Sequence, residues 1–119
     1  MAAQLNEKEL AAAEAVAENS PLVYVHHFAS PFVYEGKTYT TLTFDWGKLT
    51  GNDGIEIEDE MQALGRPVVV PTLSGGYLIR MACRACTDRI GTDVIGAMGI
   101  QDYNRIRSAA RNFLLKSEL

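Results

Sequence analysis

The chain has 119 residues, 47% apolar and 22% charged, with a formal net charge of −4. That is the length of one domain and the composition of a globular chain, and it can bury roughly two-thirds of its unfolded surface. The acidic balance argues against a nucleic-acid binder, because phosphate contacts need a basic surface. No apolar run approaches the ~20 residues of a membrane helix. The alanine-rich, acidic start lacks the basic flank and apolar centre of a signal peptide, so a cytoplasmic protein is expected.

In chain order, 6–18 is predicted as a helix capped by Asn6, with Glu9 three residues on and only Leu10 and Val16 as large apolar residues. Ser20-Pro21 ends it. The β-branched and aromatic segment 22–28 reads as a strand. A β-hairpin is predicted over 31–45, turning at Glu35-Gly36. Within it Tyr39, Thr41 and Thr43 alternate with Thr40, Leu42 and Phe44, and Leu42 and Phe44 are assigned to the buried face. The sheet has three strands if 22–28 joins it.

From Asp45 the pattern becomes helical. Thr50 caps a helix near 52–64 with Ile57, Met61 and Leu64 as its stripe and Gly65 as its stop. Pro67 to Pro71 is an extended connector or edge strand. Ser74 caps a largely apolar helix over 75–90, whose wet arc is Arg80, Arg84 and Thr87. A short helix over 93–98 and a last one over 101–116 follow. On the last helix Tyr103, Ile106, Ala109, Ala110, Phe113 and Leu114 share one face. The fold class is therefore α+β: an N-terminal hairpin packed on a bundle of three to four helices. Residues 1–30 form an N-terminal extension to a single domain over 31–116.

Charge is uneven. Asp53, Glu56, Glu58, Asp59 and Glu60 crowd one segment, and Arg105, Arg107, Arg111 and Lys116 another. Two solvated helix faces explain this, as does a polar face turned to a partner.

No motif supplies chemistry. Cys83 and Cys86 match C-x-x-C, but a structural zinc needs four ligands, and His26 and His27 alternate across a strand so that at most one could join. A redox pair would sit at a helix N-terminus, whereas these lie well inside one. Gly36-Lys37-Thr38 lacks the earlier glycine of a P-loop, since position 31 is Pro31. Calcium would require side-chain oxygens at Leu49 and Gly51, which have none. No catalytic residue, metal or cofactor is assigned, and the chain is expected not to be an enzyme.

The succession Phe32-x-Tyr34-x-Gly36-Lys37-x-Tyr39, then Leu42 to Asp45, Lys48-Leu49-Thr50-Gly51-x-Asp53, Ser74-x-x-Tyr77-Leu78, Asp93-Val94-Ile95, Asp102-Tyr103-x-x-Ile106 and Arg111 to Leu114, resembles the phage tail assembly chaperones over about 31–115. The resemblance implies a protein that binds the helical tape measure protein, keeps it soluble and helps recruit tail tube subunits. It also implies a bacterial host cytoplasm, and a longer frameshifted form of the chain as a further partner. A minor tail component retained in the virion is one rival reading. An unrelated enzyme or ligand binder using Cys83, Cys86 and His26 is another. On the last helix Leu115 falls among the arginines, about 100° from Leu114. Arg105, Arg107, Arg111 and Leu115 are therefore the candidate partner-binding residues, since arginine is enriched at interfaces.

Overall fold

The computed structural model describes residues 22–117. The helix expected over 6–18 lies outside the described residues. Strand β1 (Val23–Tyr34) and strand β2 (Lys37–Asp45) form a two-stranded antiparallel sheet. Four helices follow: α1 (Gly51–Ala63), α2 (Gly75–Ala85), α3 (Thr92–Gly96) and α4 (Ile100–Ser117). The α+β class and the hairpin-then-helices order are as expected.

The hairpin turns where the sequence placed it. Glu35 and Gly36 both have positive φ, +48° and +81°, which gives the two-residue turn whose twist matches the flanking strands. The third strand does not exist among the described residues. Residues 23–28 are instead the first half of β1, which runs unbroken across the 30/31 boundary expected between extension and domain. His27 pairs with Thr41 and Phe32 with Tyr39, so five steps on β1 face two on β2 and Phe28 to Pro31 form an irregularity. Pro31 lacks an N–H for the ladder, and the irregularity is where a strand tolerates it. The same bend brings Tyr39 into the core with Leu42 and Phe44, although strict alternation puts it on the other face.

Trp46, in a 3₁₀ turn capped by Asp45, stacks between Phe44 (5.7 Å) and Phe113 (5.8 Å) and so ties β2 to α4. Thr50 accepts from the Asp53 N–H while Asp53 accepts from the Thr50 N–H, a reciprocal cap for α1. At the other end Gly65 has φ +76°, and Arg66 N–H reaches back to the Met61 carbonyl at 2.9 Å. Ile57 and Met61 are buried, but Leu64, beyond the last helical turn, is exposed.

Helix α2 stops at Ala85 rather than 90. Cys86 becomes extended and bridges Phe44, and the Thr87 N–H donates to the Thr43 carbonyl at 2.9 Å. The free edge of β2 thus takes the backbone that would otherwise have continued the helix. Residues 67–70 are a connector, followed by a 3₁₀ turn over Pro71–Leu73 that packs on α2 and α4. One core joins all of this, from Tyr39, Leu42 and Phe44 through Leu78, Ile95 and Ile106.

Candidate partner-binding surface

Three residues of the acidic run pair with arginines of α2 at the surface. Arg84 Nη1 donates to Asp53 at 2.9 Å and to Glu56 at 2.7 Å, and Arg80 Nε donates to Glu60 at 3.3 Å. These pairs lock α1 against the arc of α2 expected to be wet. The hydrogen bond from the Thr50 N–H, then that from Arg84, hold the Asp53 carboxyl below its usual range. Glu58 and Asp59 remain outside the network.

On α4 the four candidate residues divide. Arg107, Arg111 and Leu115 fall on one line, four residues apart, whereas Arg105 projects more than 100° from both Arg107 and Arg111, beside Tyr24 and Asn112. Arg111 Nε donates to the Thr72 carbonyl at 3.0 Å. The Arg107 guanidinium lies 5.5 Å from the centre of the Tyr103 ring, and its Nε is buried without an acceptor. A Cβ placed on Gly75 would lie 2.7 Å from the Tyr103 hydroxyl and 3.9 Å from Arg107 Cδ. The segment 72–75 therefore runs beside the arginine line.

That juxtaposition adds residues that sequence reasoning missed. Leu73 is 76% exposed, Val69 88% and Val70 44%, and Leu115 is 46% exposed one turn beyond Arg111. Arg107 and Arg111 are half-buried and have no carboxylate partner among the described residues, and the exposed Leu73 follows Thr72 directly in the chain. The sequence showed Pro67 to Pro71 as a connector but carried no signal that it would lie against α4. Beside Leu114, which lies about 20° around the helix from Arg107, a cavity of about 180 Å³ is lined by Leu49, Ile57, Tyr77, Met81, Phe113 and Leu114.

His26 is fully buried. Its Nε2 lies 2.8 Å from Asp102 and its Nδ1 2.9 Å from the Tyr24 hydroxyl. With Asp102 ionised, Nε2–H donates to it and Nδ1 accepts from Tyr24. Burial lowers the His26 pKa, outweighing the hydrogen bond that the ring donates to Asp102, which raises it, so the ring is largely neutral at pH 7. Both ring nitrogens are committed, and neither is free to activate a thiol. Burial pushes the Cys83 thiol up to about 12 and raises that of Cys86 as well. The structure does not assemble Cys83, Cys86 and His26 into a nucleophilic site. Among the described residues no group of three or more histidine, cysteine or acidic side chains is placed to hold a metal ion, and no helix is long and apolar enough to cross a membrane.

Compared with protein-family models, curated proteins and solved structures, the chain has no significant match.

Proposed function

We propose that this protein is a phage or prophage tail assembly chaperone: it binds the tape measure protein in the host cytoplasm, keeps it soluble and helps recruit tail tube subunits. The observation that carries the reading is the ordered succession of motifs from Phe32 to Leu114, which falls on the turn of the hairpin, the cap of α1, the start of α2 and the inner face of α4 in turn. A tape measure is a long helical chain that presents apolar stripes before the tube encloses it. A helper for such a chain needs an open face with apolar and charged groups, and requires no chemistry.

Arg107, Arg111 and Leu115 supply that face, with the Thr72 carbonyl held by Arg111 and the exposed Leu73 next to it in the chain. Arg105 lies on another side of α4 and drops out of the set. A longer, frameshifted form of the chain would carry the same face to the growing tail.

The test is co-expression with the tape measure, followed by affinity purification. Wild type is expected to co-purify with it. The triple variant Arg107→Glu, Arg111→Glu, Leu115→Ser, folded by circular dichroism, is expected to lose it. A folded triple variant that co-purifies at wild-type yield removes this face from the proposal. Wild type that fails to capture the tape measure removes the function.

A further inference from the structure

The cavity beside Leu114 opens next to the point where the chain enters the described fold. The Trp46 N–H donates to the Leu22 carbonyl at 2.8 Å, and the Leu22 side chain lies 3.4 Å from where a Cβ on Gly47 would stand. Trp46 in turn stacks on Phe113, which lines the cavity together with Leu49 and Leu114. These three lining residues are half-buried, so the cavity keeps an apolar rim in contact with solvent. Residues 1–21 precede Leu22 and lie outside the described residues. Their sequence carries Glu7, Glu9, Glu14 and Glu18 against Lys8 alone. On the helix expected over 6–18, Glu14, Glu7 and Glu18 fall about 40°, 60° and 80° around from Leu10, with Lys8 about 160° away. On α4, Arg107 and Arg111 fall about 20° and 60° around from Leu114. Each helix thus has a leucine edged by charges, acidic on one and basic on the other. Neither arginine has a carboxylate partner among the described residues.

We propose that residues 6–18 dock on α4 of their own chain, with Leu10 in the cavity and Glu7 and Glu14 on Arg107 and Arg111. The reach allows it. Nine helical residues and three extended ones carry Leu10 about 20 Å back from Leu22, past the stacked rings of Trp46 and Phe113. A cavity of about 180 Å³ is large enough for a benzene-sized group, so a leucine side chain fits. Exposed ion pairs contribute little each, but the tether makes the encounter intramolecular, so weak contacts suffice. The docked segment covers the face assigned above to the tape measure, so the two exclude each other there. That last consequence rests on the functional reading, and the docking itself does not.

Paramagnetic broadening of amide signals in the full chain is the test. Ala12→Cys places a thiol about 200° from Leu10, off the docking stripe, as the attachment point for a nitroxide. Burial raises the pKa of Cys83 and Cys86, so the introduced thiol takes the label first. Leu49, Ile57 and Leu114 are expected to lose most of their signal intensity, while Val33, beside the turn of the hairpin, keeps its own. A mixture of nitroxide-bearing chain, invisible in the spectrum, with isotope-labelled chain lacking the nitroxide should leave every signal sharp, because the contact lies within one chain. Glu7→Arg with Glu14→Arg should recover the intensities, and adding Arg107→Glu with Arg111→Glu should bring the broadening back. Arg107 packs on Tyr103, so if the arginine variant fails to fold, the Glu7 and Glu14 pair decides the matter alone. Unbroadened signals in the first sample overturn the proposal, as does broadening undiminished in the Glu7 and Glu14 variant. Broadening in the mixture as strong as in the first sample means that a second copy supplies the segment, and overturns it too. Loss of tape measure capture with the broadening intact would count against the functional reading only.

Discussion

His26 sits where the hairpin meets α4, held by Tyr24 on its own strand and Asp102 on the helix, with Arg105 and His27 also acting on its charge. Its folded pKa lies below the 6.5 of the free side chain. Between those two values the unfolded chain binds the extra proton, so acidification favours unfolding. This contribution is complete above about pH 6.5 and is lost as pH falls through that value. Asp53, depressed below 3.8, acts only in more acidic solution. Urea midpoints should therefore drop between about pH 7.5 and about pH 5.5, and His26→Gln should flatten that slope. An equal slope in the variant would assign the effect elsewhere. Phe44 has no exposed surface and stacks on both Tyr24 and Trp46. Phe44→Ala is expected to cost about 3–5 kcal/mol by chemical denaturation, and a loss below about 1 kcal/mol would show that the site collapses around the missing ring.

At the scale of elements, α1 depends on a cap that also anchors a neighbour. Thr50→Ala should cost about 1 kcal/mol, the usual worth of a side-chain cap. Asp53→Ala should cost more, because Asp53 closes the cap and receives Arg84 as well. Equal losses for the two variants would mean that the Arg84 contact contributes nothing measurable. The cap at Thr50, the stop at Gly65 and the turn at Gly36 were legible because each rests on a local backbone requirement. The length of β1 was not. Ala29-Ser30-Pro31 reads as a break between strands, and only pairing with β2 carries the chain through it as an irregularity. The end of α2 was hidden for a similar reason. Cys86 and Thr87 have no local signal to leave the helix, and the edge of β2, more than 40 residues earlier, draws them out.

For the molecule as a whole, the single tryptophan is a reporter of the joint between sheet and helices. Trp46 is 3% exposed and touches Phe44 of β2 and Phe113 of α4. If the described residues fold as one cooperative unit, Trp46 fluorescence and far-UV circular dichroism will give the same denaturant midpoint. Two separated midpoints would show that the hairpin and the helices unfold apart. The sequence by itself determined the class, the order of the elements and the inner face of α4, since hydrophobic period and capping chemistry act over a few residues. Tertiary structure alone decided three things. It paired Asp53, Glu56 and Glu60 with Arg80 and Arg84, it split Arg105 from Arg107 and Arg111, and it set the Thr72 carbonyl against Arg111. Which charges stay free for a partner depends on which ones the fold has already paired, and helices distant in sequence make that pairing only when the core brings them together.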